Sequence, residues 1–419
     1  MVLLRRTSWV LLWFILFSTG VGADTFQNPG DYIAAVLNQH PAVLKGRKLV
    51  HAAEFGVKGS TLQPNPTVTL AATAGDAGES SNALTQNFEI SGQPKLRWKQ
   101  STAELEAVKN QLRSTRREIA ARAYRSWLSY WQARQLAELA ALRSNVFLEV
   151  SRAARRRYEV GEISQNESLR VELAAAQSEV ALSKAAADLE AARRDLLLLS
   201  GVGLEEDAAD PVDPVPLLPD CSLEAALEAV PRHPEIVAME LQEEALGFAS
   251  ELIGKERGPT LGFSLYRSKL FRTSGVEQGA QLSLSFPLLD WGRIANRQKE
   301  AEERAGAYAL SVDEAVLARR QEVSRTWANL EAARRNKLLL ETQAARYDEL
   351  ARESKVAYDL GMVSLTDALQ TEASFRDARA ELLEAQMEYF QLELTLLERT
   401  GLPWPESLGP VETLEHTYE

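Results

Sequence analysis

The sequence predicts a mainly α-helical fold with a small β part, built from two copies of one long helical hairpin. Three observations predict it. Residues 158–164 read Tyr-Glu-Val-Gly-Glu-Ile-Ser, and residues 358–364, 200 positions later, read Tyr-Asp-Leu-Gly-Met-Val-Ser. Trp127 and Trp327 keep the same offset, as do Gly201 and Gly401. Long runs rich in Ala, Leu, Glu and Arg flank both stretches, whereas Gly and Pro gather at punctuation points. The period is too long for a solenoid unit, so it marks a duplicated half.

Taken in order, residues 1–23 read as a secretory signal. Arg5 and Arg6 precede an apolar run over 9–17, and Val21-Gly22-Ala23 supplies a small-residue cleavage site. The run is short for a transmembrane helix, and no Cys follows it to carry a lipid anchor. The first repeat then spans 24–200. A short helix over 31–38 ends near His40-Pro41, and helical character resumes over 42–62 until Pro64-Asn65-Pro66. The period changes to two: Val68, Leu70 and Ala72 alternate with Thr67, Thr69 and Ala71, and Phe88 and Ile90 with Asn87 and Glu89. A hairpin over about 66–91 with a polar loop at 75–83 follows, each strand of a length that suits a tilted barrel strand.

From Pro94 to Val160, Leu105, Val108, Leu112, Thr115 and Ile119 recur at three- and four-residue spacing, which predicts one helix of roughly 100 Å. Gly161 ends it as a left-handed C-terminal residue. Ser164 and Glu167 form a capping box for an alanine-rich return helix to Ser200. An acidic, Pro-rich linker occupies 201–221. The second repeat, 222–401, runs through the same order: a short helix, His233-Pro234, a helix over 235–255, and a hairpin over about 259–287 with a polar loop at 268–278. A long helix from Pro287 to Leu360 follows, then the turn at Gly361, the cap pair Ser364 and Asp367, and a return helix to Thr400. A short tail occupies 402–419. The strands lie at one end of a rod, the Gly161 and Gly361 turns at the other, and the linker and short helices form a belt around its middle.

Several function classes drop out. A net charge of −12 gives a nucleic-acid role little support. No phosphate loop, nucleophile elbow or His–acid arrangement stands out, so no enzyme, catalytic residue or cofactor is expected. With four His and one Cys, Cys221, no metal-ligand spacing occurs. His40 and His233 hold equivalent places before Pro, which favours a shared structural role. Trp127, Trp131 and Trp327 read as packing residues within helices. No later run reaches the length of a spanning helix, so membrane entry would require a barrel. Four strands cannot close one, so subunits must pool strands.

The signal peptide, the doubled Tyr-x-x-Gly-x-x-Ser-x-x-acid signature and its Ala-rich continuation resemble the TolC-like outer-membrane efflux proteins. The resemblance covers the mature chain. It implies a homotrimer with a twelve-stranded barrel in the outer-membrane lipid and a long periplasmic helical tunnel closed at its tip. Partners follow from it: a periplasmic adaptor (membrane fusion) protein and an inner-membrane pump. The His-Pro pairs, residues 63–66 and residues 88–92 look most like the heavy-metal efflux (CzcC-like) branch, for which an RND-type pump is expected. A multidrug or type I protein-secretion duct remains an alternative. So does a secreted helical scaffold or adhesin.

The resemblance also points to sites. Tyr158, Val160, Gly161, Ile163 and Ser164, with Tyr358, Leu360, Gly361, Val363 and Ser364, stand where adaptors dock, although a self-packed turn would account for the same residues. Glu167 and Asp367 stand where the family places acids at the tunnel constriction. Capping explains them equally well, at about 0.5–2 kcal/mol each.

Overall fold

The computed structural model describes residues 28–73, 79–201, 212–218, 221–270, 275–409 and 411. The expected signal sequence and most of the expected linker and tail lie outside them. The first repeat runs α1 (Pro29–Gln39), α2 (Pro41–Ser60), β1 (Thr67–Thr73), β2 (Glu79–Glu89), α3 (Gln93–Glu159) and α4 (Gln165–Ser200). The second runs α5 (Leu223–Ala229), α6 (Pro234–Gly254), β3 (Thr260–Leu270), β4 (Val276–Ser285), α7 (Arg293–Asp359) and α8 (Leu365–Arg399). Both long helices have 67 residues, about 100 Å of rise. Each lies beside two shorter helices, α3 against α2 and α4, and α7 against α6 and α8. Among the described residues no helix is long and apolar enough to cross a membrane.

The strands form one antiparallel sheet in the order β1-β2-β3-β4, so the two hairpins join through β2 and β3. Register makes the sheet two-faced. Val68, Leu84, Leu265 and Ala280 lie in one row, and Phe88, Leu261 and Leu284 in another on the same face. The opposite face carries Thr67, Thr85, Ser264 and Gln281, with the Thr85 and Ser264 hydroxyls 2.9 Å apart. Val68, Leu70, Leu84, Phe263, Leu265, Leu282 and Leu284 are all exposed, so nothing among the described residues covers the apolar face.

Four boundaries depart from the sequence expectation. β2 begins at Glu79, inside the expected 75–83 loop, because 79–83 pair with β1 on one side and with β3 on the other. β3 and β4 likewise extend into the expected 268–278 loop, reaching Leu270 and starting at Val276. Backbone pairing from both neighbours makes these polar residues strand, which alternation of apolar residues could not signal. Finally, α7 starts at Arg293 and not at Pro287. Asp290 stops it by accepting the Gly292 amide at Oδ1 and the Ile294 amide at Oδ2, both at 3.1 Å.

The core sits in the belt. Tyr32, Ile33 and Val36 of α1 pack on Tyr124, Trp127 and Leu128 of α3, with Leu196 and Leu197 of α4 and Leu394, Leu396 and Leu397 of α8. The Tyr32 hydroxyl donates to the Leu196 carbonyl at 3.1 Å. Arg117, only 2 % exposed, donates to the carbonyls of Leu397, Thr400 and Leu402 at 2.9–3.0 Å. Arg116 adds a 2.7 Å bond to the Val411 carbonyl, so α3 holds the chain's last described residues. The linker is pinned too: Trp131 donates to Asp213 at 2.9 Å, and the Leu217 amide donates to the buried Glu393 at 3.0 Å.

Gly201 and Gly401, equivalent by offset, end their helices differently. Gly201 is left-handed (φ 71°). Gly401 is not; a Cβ there would lie 2.3 Å from the Ala229 carbonyl oxygen, so close approach of α5 demands the glycine.

Candidate functional site

The rod ends in two turns of the same construction. At the first, the Glu162 amide donates to the Arg157 carbonyl (2.8 Å) and the Gly161 amide to that of Tyr158 (2.9 Å). At the second, Met362 donates to Ala357 (2.8 Å) and Gly361 to Tyr358 (2.9 Å). This is the Schellman pattern, and it places Gly161 and Gly361 at φ 78° and 74°. Glycine is favoured there because a Cβ in the left-handed region meets the following carbonyl.

Two residues later the chain turns into the return helix. Ser164 Oγ accepts the Glu167 amide (3.3 Å), and Glu167 Oε2 accepts the Ser164 amide (3.1 Å), closing the expected capping box. At the second tip Ser364 Oγ accepts the Asp367 amide (3.2 Å), while its hydroxyl donates to Asp367 Oδ2 (2.7 Å). Asp367 is exposed and Glu167 half-buried. Glu167 therefore completes a capping box, whereas at the second tip Ser364 alone caps and Asp367, too short to reach the Ser364 amide, only accepts its hydroxyl.

The four apolar tip residues divide. Val160 and Leu360 are 71 % and 70 % exposed, whereas Ile163 and Val363 are half-buried within their own turns. Met362, which the sequence reading passed over, is also exposed. The exposed apolar surface of the tips is thus Val160, Leu360 and Met362 with the less exposed Tyr158, whereas Ile163 and Val363 are half-buried.

The structure adds a contact between the two repeats. Arg157 Nη1 donates to the Tyr358 hydroxyl at 3.1 Å, and the guanidinium lies 5.3 Å from the Tyr358 ring centre. Arg157 Nε is also 3.8 Å from Glu162. The sequence signal was present: Arg155-Arg156-Arg157 ends α3, while Ala357 stands at the equivalent place in α7.

Away from the tip, His40 and His233 do the same local job. His40 Nδ1 accepts the Ala42 amide and His233 Nδ1 the Glu235 amide, both at 3.2 Å, so each caps the helix that its Pro begins. His233 is 3 % exposed, lies 3.1 Å from the Glu398 carbonyl through Nε2, and has Arg319 Nη1 3.1 Å from Nδ1. Burial, then the Arg319 charge, push its pKa down to about 3. Among the described residues no three His, Cys, Asp or Glu side chains converge as a metal site. The Cys221 thiol is raised by burial and donates weakly to the Ser222 carbonyl.

Residues 226–402 match the family model described as outer membrane efflux protein. The chain is 25 % identical over 313 residues to the outer membrane efflux protein BepC of Brucella suis, covering 72 % of this chain and 67 % of that protein. A membrane protein from Pseudomonas aeruginosa shares the fold with a TM-score of 0.75 at 16 % identity, over 94 % of both chains. The outer membrane protein VceC of Vibrio cholerae shares it with a TM-score of 0.71 at 16 % identity, over 89 % of this chain and 96 % of that one.

Proposed function

We propose that this chain, whose residues 226–402 match the outer membrane efflux protein family model, is a passive exit duct of the outer membrane, its helices forming a long periplasmic tunnel. The observation that carries the reading is the two-faced sheet with an uncovered apolar face and two open edges, mounted on helices of about 100 Å. Lipid is the medium that such a face fits.

The open edges prescribe the assembly. One flank of the chain presents β1, α2 and α4; the other presents β4 and α7. Both flanks expose apolar side chains, Leu49 and Phe55 of α2 and Leu169, Leu173 and Val180 of α4 on one, Leu310, Leu317 and Leu338 of α7 on the other. Unlike surfaces that meet head to tail close into a ring when the rotation permits. Three copies would pool twelve strands and remove every sheet edge. A secreted scaffold or adhesin would leave the apolar face in water, which disfavours that alternative.

With no nucleotide-binding motif, energy comes from partners: an inner-membrane pump reached through a periplasmic adaptor that docks at the tip. Val160, Leu360 and Met362 are the most exposed apolar residues there, beside exposed Tyr158, half-buried Tyr358 and the Gly161 and Gly361 turns. Glu167 and Asp367 line the constriction, Glu167 also completing the capping box of its helix. A heavy-metal cargo with an RND-type pump rests on the His-Pro pairs and on residues 63–66 and 88–92; drugs or a secreted protein are the alternatives.

Purified protein in planar bilayers should conduct as a trimer, and it should stay with the outer membrane after high-salt and carbonate washing. Recovery in the soluble fraction with no conductance would overturn the duct. Sensitivity of a deletion strain to divalent metals and not to drugs would support the metal cargo; the reverse pattern would remove it.

A further inference from the structure

We propose that the apolar face of the sheet holds an acylated glycolipid by its phosphate monoester, with Arg267 and Lys269 binding the phosphate and a hollow beside Val68, Leu84 and Leu265 taking an acyl chain. The proposal rests on the reading of the sheet as embedded in the outer membrane.

The register sorts the charges at the hairpin end of the sheet by face. On the apolar face, the row next to Val68, Leu84 and Leu265 reads Leu70, Asn82, Arg267 and Gln278. The row beyond it reads Ala72, Ser80, Lys269 and Val276. These two rows carry both cations and no acid. The acids of the same end, Glu79 and Glu277, fall on the opposite face, where the Ser268 hydroxyl donates to Glu79. Arg267 and Lys269 are exposed, and among the described residues neither has an ion pair or a hydrogen bond.

Beside Arg267 lies an open hollow of about 500 Å³. Val68, Leu84 and Leu265 line one side of it, and Asn82, Arg267 and Gln278 the other. Its floor is the row between them, Ala83, Tyr266 and Gly279, whose side-chain positions belong to the opposite face. The hollow is thus apolar on one side and hydrogen-bonding on the other. That composition suits a ligand with one end in hydrocarbon.

Height and charge identify the ligand. The helices leave the sheet at the end where Glu89, Thr260 and Ser285 align, so Arg267 and Lys269 stand towards the far surface of the membrane. From Leu261 to Arg267 the strand rises about 20 Å, which a tilt of about 40° reduces to roughly 15 Å across the bilayer. An apolar band is about 25 Å tall, and a lipid-facing cation inside it is unfavourable unless neutralised. An anion carried by the lipid itself removes that penalty. The Arg267 guanidinium can take two phosphate oxygens at once, and Lys269, about 7 Å further along the strand, adds a second charge. A phosphate monoester carries about −1.5 to −2 at neutral pH, whereas the diester of an ordinary phospholipid carries a single charge. Two cations match the monoester.

A second copy of the chain does not compete for this site. It would pair with the open edges, β1 or β4, whereas Arg267 and Lys269 lie on β3, inside the sheet. Closing a ring leaves that face open.

The test uses the full mature protein purified in detergent and stripped of lipid, with binding read by native mass spectrometry. The probes are diphosphorylated lipid A, the same lipid without its phosphates, phosphatidylglycerol and inorganic phosphate. Lipid A should bind about tenfold more tightly than any of the other three, and Arg267→Gln should remove that advantage while Arg267→Lys keeps part of it. Glu277→Gln, on the opposite face, should change nothing. Phosphatidylglycerol bound as tightly as lipid A would overturn the monoester assignment. Inorganic phosphate bound as tightly would overturn the role of the hollow, and lipid A binding unaffected by Arg267→Gln would overturn the site. If Arg267→Gln lowers the yield, Gln278→Glu sets an acid opposite Arg267 and should weaken lipid A binding as much; unchanged binding would count against the proposal. Conductance of the same protein in planar bilayers separates the two readings. A conducting protein without preference for lipid A sinks only the site; one that neither inserts nor conducts sinks the duct.

Discussion

Arg157 of the first repeat and Tyr358 of the second are joined at the tip by a 3.1 Å hydrogen bond and a guanidinium–ring contact of 5.3 Å. The reciprocal contact does not exist, because Ala357 occupies the place of Arg157 in the second repeat. The two hairpins are therefore tied by one asymmetric link at the end where a tunnel would narrow.

Breaking the link should loosen the tip without unfolding the chain. A partly exposed cation–ring contact contributes about 0.5–1 kcal/mol, too little to matter to a core that lies in the distant belt. Arg157→Ala and Tyr358→Leu should each raise single-channel conductance while leaving the thermal midpoint within a degree or two. The double variant should add little to either, because both remove one interaction. Additive effects would show that the two residues act separately.

The tip acids should show two separable roles. Ser164→Ala removes the cap at a cost of about 1 kcal/mol but keeps the carboxylate of Glu167. Glu167→Gln with Asp367→Asn removes the charge and keeps hydrogen-bonding oxygens. Conductance or cation preference should follow the second pair and hydrogen exchange at the tip should follow the first variant. Unchanged conductance after Glu167→Ala with Asp367→Ala would leave their local bonds to Ser164 and Ser364 as their only role.

Replacing Gly161 or Gly361 with Ala should cost about 1–2 kcal/mol, all of it backbone strain, since an added Cβ at either position meets nothing within 4 Å. The loss should appear as faster proteolysis at the altered tip, with the belt unaffected.

Arg117→Leu should be the most damaging of these changes. It leaves the carbonyls of Leu397, Thr400 and Leu402 without their charged donor, in a site where the guanidinium also faces Trp404 at 5.7 Å. Loss of about 3 kcal/mol or more is expected, with cleavage of the chain beyond Thr400 by added protease. Wild-type resistance in the variant would mean that the tail is held by packing.

Acid should destabilise the belt through His233. Its pKa falls from the ordinary 6.5 to about 3 on folding. Above pH 6.5 both states are neutral there and the contribution is full. As pH drops from 6.5 towards 3, the unfolded state takes up a proton that the folded state refuses, so stability declines by up to about 1.4 kcal/mol per pH unit. His233→Asn keeps a capping oxygen for the Glu235 amide and removes the titration, so its denaturation midpoint should depend less on pH over that window. An unchanged slope would assign the pH dependence to other groups.

Much of the fold was legible because it is local. Helix periodicity, the Gly turns, Ser caps and His-Pro starts act within four residues of themselves, and α3, α4, the capping box at Ser164 and Glu167, and the shared job of His40 and His233 followed from them. The two-faced strands were legible for the same reason, since alternation is a property of neighbours in sequence. The tip site was half legible. Its turns and caps were visible, but the division of Val160 and Leu360 from Ile163 and Val363 depends on how each turn folds on itself.

By itself, then, the sequence determined a duplicated helical hairpin with strands at one end and glycine turns at the other. The tertiary structure decided what joins residues far apart along the chain: β2 beside β3, Arg117 beneath the last helix, Arg157 against Tyr358, and Gly401 set apart from Gly201 by the approach of α5. The reason is physical. A period reports which face of an element is buried, but not against which partner, and polar residues such as 79–83 become strand only when two neighbours supply their hydrogen bonds.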